Sequence, residues 1–381
     1  MSLDLVLRAV SRTMPAASRS RHLEQWRADA AGATEAGMRP ADVARGAIAV
    51  ALTADRDAPV LTGEPRGAAP RRLSRRGSAL VAAVVTVTVA LWITGGGVDD
   101  TAAALPPALA ATLDGARSAV GVVAAAAAVL AALFFASAAL LSRALTARIA
   151  FACAALGLAA LVVAGNLPIT GEVMAGLVGL TTAGIVVGLA AAWRATPLAL
   201  VRRASPLRRR LPLALTGLAV VCVVLVLGGL DTLVWNPMAK VPGVGIDAIY
   251  REMIAADGFV PEAAGSAVAV WGIVWFLAAT AVTVWASTTA GAWLTPRRLG
   301  ILYLGIIGVA LFLRLFAGFG IGMSIADTFA TSGGDVSALS QVFHLVGPVA
   351  FATAALLFGW APSPKSDALG APEGRTAAIA G

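Results

Sequence analysis

The chain has 381 residues, 59% of them hydrophobic and only 13% charged, with a net charge of +8 and a mean hydropathy of +0.84. A water-soluble domain is nearer half apolar and a quarter charged, so this composition excludes an ordinary soluble enzyme and requires a bilayer as solvent. The positive charge does not mark a nucleic-acid surface, because the arginines flank apolar runs, where they set topology; nucleic acid is not expected as a partner.

Residues 1–54 predict a small helical unit. Leu3, Val6, Leu7 and Val10 recur at helical spacing until Pro15, a second helix follows Ser18, and Pro40 suits the first position of a third. Leu3 to Val10 is too short for a cleavable leader and is interrupted by Asp4 and Arg8. The stretch from Met14-Pro15 through Arg21-His22-Leu23-Glu24-Gln25-Trp26-Arg27-Ala28-Asp29 to Ala47-Ile48-Ala49 resembles the short helical prefix that precedes the spans of many actinobacterial membrane proteins, permease-like ones among them. That resemblance implies a cytoplasmic prefix and a bacterial plasma membrane. Residues 55–77 read as a Pro/Gly linker ending in Arg71, Arg72, Arg75 and Arg76, a cluster that can touch anionic lipid headgroups.

Apolar runs of about 20 residues, enough to cross roughly 30 Å of hydrocarbon, then predict an all-α polytopic protein with eight spans: 78–96, 118–142, 149–165, 170–193, 211–230, 264–287, 299–323 and 342–361. Alternate connections are rich in arginine: Arg143 and Arg148; a basic loop over 194–210; and Arg297 with Arg298. The opposite connections are acidic, carrying Asp99, Asp100, Asp114, Glu172, Asp231, Asp247, Glu252, Asp257 and Glu262. The positive-inside rule then puts both termini in the cytoplasm, with 362–381 as a disordered tail. Trp92, Trp193, Trp235, Trp293 and Trp360 fall near span ends as an aromatic belt would. In the long connection 231–263, Ile246, Ile249, Tyr250, Met253 and Ile254 define one face of an amphipathic helix over 246–257, ended by Gly258.

The two halves share landmarks. Gly95-Gly96-Gly97-Val98-Asp99-Asp100-Thr101 matches Gly228-Gly229-Leu230-Asp231-Thr232, Ser118-Ala119-Val120 matches Ser266-Ala267-Val268, and Ala164-Gly165 matches Ala317-Gly318. This order points to a four-plus-four parallel repeat: spans one to four (78–193) and five to eight (211–361) would carry the same orientation, as in transporters that bind substrate between halves.

Enzyme signatures are missing: no GxxxxGK[ST], no HExxH and no DDxxD occurs, so neither catalysis nor a cofactor is expected. Cys153 and Cys222 both lie in apolar spans and offer no metal spacing. His344 stands near Ser337 and Ser340, but without a nucleophile elbow it reads as a histidine bonded to backbone or water. Gly184 and Gly188 form a small-residue face for helix packing. Arg314 stands out, because an arginine inside a span costs at least about 2.5 kcal/mol if left in lipid. With Gly318, Gly320 and Gly322 following it, an unwound backbone beside a fixed cation would bind a small anionic or polar ligand, with Asp231 as a further candidate at the site; the competing reading pairs Arg314 with Asp231, Asp99 or Asp327. Two functions follow: a permease-like protein holding a ligand near Arg314 between duplicated halves, or a regulatory or assembly protein whose prefix contacts a partner.

The topology is testable with Ala104→Cys and Pro206→Cys. In intact cells an impermeant thiol reagent should label position 104 and leave position 206 unlabelled; labelling at 206 would refute the eight-span arrangement.

Overall fold

A lipid environment offers backbone groups no hydrogen-bond partners, so apolar runs must satisfy themselves as helices. The structure, a computed structural model, describes residues 3–15, 17–54, 61, 67–95, 105–164, 171–194 and 205–360, and among these there is no strand. The helices are α1 (Leu3–Thr13), α2 (Arg19–Gly32), α3 (Pro40–Thr53), α4 (Ala68–Gly95), α5 (Pro107–Leu141), α6 (Leu145–Ala164), α7 (Gly171–Arg194), α8 (Leu207–Leu230), α9 (Asn236–Lys240), α10 (Ile246–Asp257), α11 (Pro261–Ser287), α12 (Pro296–Ala317), α13 (Phe319–Phe329) and α14 (Ala338–Gly359). A π-helical turn, Asp231–Trp235, joins α8 to α9, and Gly318 alone separates α12 from α13. Among the described residues, eight stretches are long and apolar enough to cross a membrane: α4 to α7, α8 extended through α9, α11, α12 extended through α13, and α14. The chain is a polytopic all-α membrane protein.

Several sequence-derived boundaries move. The linker over 55–77 ends at Gly67, because α4 begins at Ala68 and carries Arg71, Arg72, Arg75 and Arg76 into the first span. Pro70 sits in its opening turn, where a missing N–H costs nothing. The second span starts at Pro107, not 118, and therefore includes Arg117. Arg208 to Arg210, assigned to the basic loop over 194–210, belong to α8. The span over 299–323 is two helices that end at Phe329. The tail 362–381, most of that basic loop and Asp99-Asp100-Thr101 lie outside the described residues.

The prefix helices α1, α2 and α3 pack together around Leu7, Met14, Trp26, Ala47 and Ala51. In the bundle, α4 to α7 enclose Leu80, Phe135, Phe151, Ala154 and Leu158, while α8, α11, α12 and α14 enclose Val221, Leu225, Trp271, Tyr303, Ile307, Leu311 and Phe343. The groups meet along α14, which packs on both α12 and α4. Its C-terminal carbonyls are held from both sides: Arg75 Nε donates to Gly359 O at 3.2 Å, and Arg297 Nε donates to Leu357 O at 2.7 Å. Both guanidiniums bind protein, including that of Arg75, whose cluster was a candidate for lipid headgroups in the sequence. Arg210, 4% exposed, likewise donates to Thr288 O at 2.7 Å.

The helix over 246–257 is α10; Ile249 and Met253 are buried against Ile321 and Ile325 of α13, and Gly258 (φ 65°) closes it. Ile254, expected on the buried face, is 47% exposed.

Alanine- and glycine-rich faces let spans approach closely. A Cβ on Gly184 would stand 2.8 Å from Ala150 O and 2.9 Å from Ala154 N, and one on Gly188 2.5 Å from the Phe151 ring. Because the obstacle at Gly184 is backbone, Gly184→Leu should separate α6 from α7 and lower stability by about 1–3 kcal/mol. Gly179→Leu, whose Cβ meets nothing within 4 Å, is the control and should leave the melting temperature unchanged.

Candidate functional site

Arg314 lies near the arginine-poor end of α12, about 27 Å beyond Pro296 at roughly 1.5 Å per residue. Only 3% of its side chain is exposed. A buried guanidinium needs carboxylates and further acceptors to offset its desolvation, and it has them. Nη1 donates to Asp231 Oδ2 at 2.8 Å and to Thr232 Oγ1 at 3.2 Å. Nη2 donates to Asp335 Oδ2 at 2.5 Å and to Ser340 Oγ at 3.1 Å, and the cation lies 5.5 Å from the centre of the Phe343 ring.

The carboxylates are held as tightly as the cation. Asp231, fully buried, accepts Ser337 Oγ–H at 2.5 Å on Oδ1 and the Ser340 hydroxyl on Oδ2. Asp335 accepts Asn236 Nδ2 on Oδ1 at 3.1 Å, while His344 Nε2 lies 3.3 Å from its Oδ2. Asn236 turns its own carbonyl to Val336 N and Ser337 N at 2.8 and 3.2 Å, fixing the turn before α14. Lys240 Nζ donates to Ser332 O at 2.6 Å in the same turn. Gln341 donates to Asp335 O at 2.8 Å and accepts from Arg117 Nη2 at 2.5 Å, so α5 reaches the edge of the cluster. Two carboxylates, Asp231 and Asp335, thus face two fixed cations, Arg314 and Lys240.

The expected ligand site is corrected in three respects. The cluster draws on residues 231–344 with Arg117 at its rim, so it lies inside the second group of spans and not between the halves. The backbone is not unwound at the glycines: Gly318 N–H donates to Arg314 O and Gly322 N–H to Gly318 O, each at 3.0 Å. Gly318 and Gly322 instead admit neighbours, since Cβ atoms there would stand 2.8 Å from Thr232 Cγ2 and 2.7 Å from Gly333 O; Gly320 meets nothing within 4 Å. Finally, His344 Nε2 stands beside the Asp335 carboxylate, and Ser337 and Ser340 serve Asp231 rather than the histidine.

Of the three partners proposed for Arg314, Asp231 is present, Asp327 is exposed and Asp99 lies outside the described residues. Sequence reading missed Asp335, Asn236, Lys240 and Gln341. The available signal was the density of short polar residues in Asp335-Val336-Ser337-Ala338-Leu339-Ser340-Gln341 at the start of a span. Among the described residues, no group of three or more His, Cys, Asp or Glu side chains is arranged to hold a metal ion. The chain matches no protein-family model, no curated protein and no solved structure.

Burial alone would raise the Asp335 pKa, but the His344 hydrogen bond and the charges of Arg314, His344 and Lys240 outweigh it and hold it at about 2. An unfolded aspartate titrates near 3.9, so the stabilisation, on the order of 2 kcal/mol, is complete above about pH 4 and is lost as pH falls toward 2. Asp335→Asn should melt lower than wild type at neutral pH, and the difference should shrink between pH 4 and 2. A difference independent of pH would show that Asp335 is not an ionised member of the cluster.

Proposed function

We propose that this is a non-transporting, non-catalytic regulatory or assembly protein of a bacterial plasma membrane, with both termini cytoplasmic and the helical prefix as its partner-contacting part. The observation that carries this reading is how Arg314 is held: of its guanidinium nitrogens, only the buried Nε–H lacks a partner among the described residues. Its two terminal nitrogens are committed to two carboxylates and two hydroxyls, and little attraction remains for an anionic ligand. The cluster then acts as a latch that fixes α8, α12 and the turn before α14. The prefix supports the second part of the proposal: Ile48 and Leu52, one turn apart on one face of α3, are 41% and 77% exposed outside the spans.

A permease-like reading retains one observation in its favour. The π-helical turn 231–235 and the interruption at Gly318 both border the cluster, and discontinuities of this kind occur where helices bind ligands or move.

A melting series separates the two. As a latch, Arg314→Ala should lose several kcal/mol, because two carboxylates are stranded, and Asp231→Asn added to it should restore part of the loss. No small carboxylate or phosphate should raise the melting temperature of the wild type through this cluster. Ligand stabilisation that vanishes in an equally stable Arg314→Lys would instead establish the permease-like reading. For the prefix, a photo-crosslinker at position 52 in native membranes should give one discrete protein adduct. Adducts only with lipid, or none, would overturn the partner-contacting role.

A further inference from the structure

The prefix contains a second concentration of charge that the bundle does not use. Arg8, Ser11 and Arg12 fall at i, i+3 and i+4 on α1, so they share one face. Arg19, Ser20 and Leu23 occupy the opening turns of α2. These six residues line an open cleft of about 410 Å³ between the helices, with Arg8, Arg12, Arg19 and Ser20 exposed to solvent.

The wall is strongly cationic. Arg19 is held in place because its Nη2 donates to Arg12 O at 3.0 Å and Met14 O at 3.2 Å, leaving the rest of its guanidinium available. Arg12 makes neither an ion pair nor a side-chain hydrogen bond among the described residues. Arg8 is tied through Nε to Asp4, which also binds Arg27. The first turn of α2 contains no acidic residue, and no side chain caps it: Ser18 Oγ donates backwards to Pro15 O at 3.2 Å. The positive end of that helix therefore adds to the field of the arginines.

We propose that the cleft between α1 and α2 binds a phosphate-bearing anion. Arginine forks and hydroxyls match phosphoryl oxygens, and none of the six lining residues is acidic. Two sources share this chemistry, a free phosphorylated solute and a phospholipid headgroup. The chain from Thr53 to Ala68 reaches at most roughly 50 Å, so the prefix is tethered within reach of the headgroups. The proposal is independent of the role of the Arg314 cluster.

The test is hydrogen exchange on the full chain in nanodiscs, read from peptides covering residues 7–23. In phosphatidylcholine discs, pyrophosphate is titrated as the free probe; in a second arm, phosphatidylglycerol replaces half the lipid and no pyrophosphate is added. Protection of 7–23 is expected in at least one arm, and the arm that responds identifies the source. Arg12→Gln should weaken the response at least tenfold without altering exchange in the absence of anion, whereas Arg39→Gln, on another part of the prefix, should not weaken it. Glu24→Gln, one turn beyond Ser20, should strengthen it. If Arg12→Gln disturbs the apo protein, Arg12→Lys, which keeps the charge and loses the fork, takes its place with the same expected weakening. No protection in either arm, or equal weakening by Arg39→Gln, would overturn the proposal and leave only a solvated basic surface.

Discussion

Burying an arginine between two aspartates imposes a condition on everything around it: each charge must find its partner and each leftover lone pair or N–H a hydrogen bond, or the cluster costs more than it returns. Asp231, Arg314 and Asp335 meet this condition from three separate parts of the chain, with the buried Arg314 Nε–H as the exception. Much of the local irregularity follows from it. Along α8 the buried positions run through Val221, Leu225 and Gly228, and the same face continues with Asp231, Thr232, Asn236 and Lys240. A regular α-helix would drift off that face. The wider turn at 231–235 rotates the chain less per residue and returns Asn236 and Lys240 to the interior, where both bind the turn before α14.

The same condition explains two glycines. A Cβ at Gly228 would stand 3.4 Å from Arg314 Cδ and 2.9 Å from the Trp271 ring, and one at Gly318 would collide with Thr232. Both positions give room to the arginine stem and to the threonine that accepts from it. Trp271 in turn donates to Ala310 O at 2.9 Å, so the apolar core begins one turn below the charges.

The spans were legible in the sequence because length and hydropathy are summed properties and the alternation of arginine-rich and acidic connections checks the sum. The helix over 246–257 was legible for the same reason, since period and a terminal glycine agree. Arg314 was legible as an anomaly, and Asp231 as one of its candidate partners. Asp335 was not, because it belongs to no span and a carboxylate in a connection carries no penalty that composition reveals. Gly318 and Gly322 were misread because glycine has two uses, an unusual backbone or a close neighbour, and only the structure separates them. Ser337 and Ser340 were noticed beside His344, yet their acceptor lies over 100 residues away.

α14 shows how the two ends of the bundle depend on each other. At its N-terminus, where the helix dipole is positive, stand Asp231 and Asp335; Ser337 caps the helix, accepting from Ser340 N, while its hydroxyl donates to Asp231. At its C-terminus, where the dipole is negative, Arg75 of α4 and Arg297 of α12 take the last carbonyls. At the C-terminal end the cations complement the dipole, whereas at the N-terminal end the two carboxylates are already balanced by Arg314 and Lys240, so the fastening there is by ion pairs and hydrogen bonds. This span also joins the two groups of helices, packing on α4 on one side and α12 on the other. A helix that must slide or tilt during a transport cycle would break polar contacts at both ends together. A helix fastened at both ends suits a rigid frame, and this rigidity is what supports the proposal that the prefix, rather than the bundle, meets the partner.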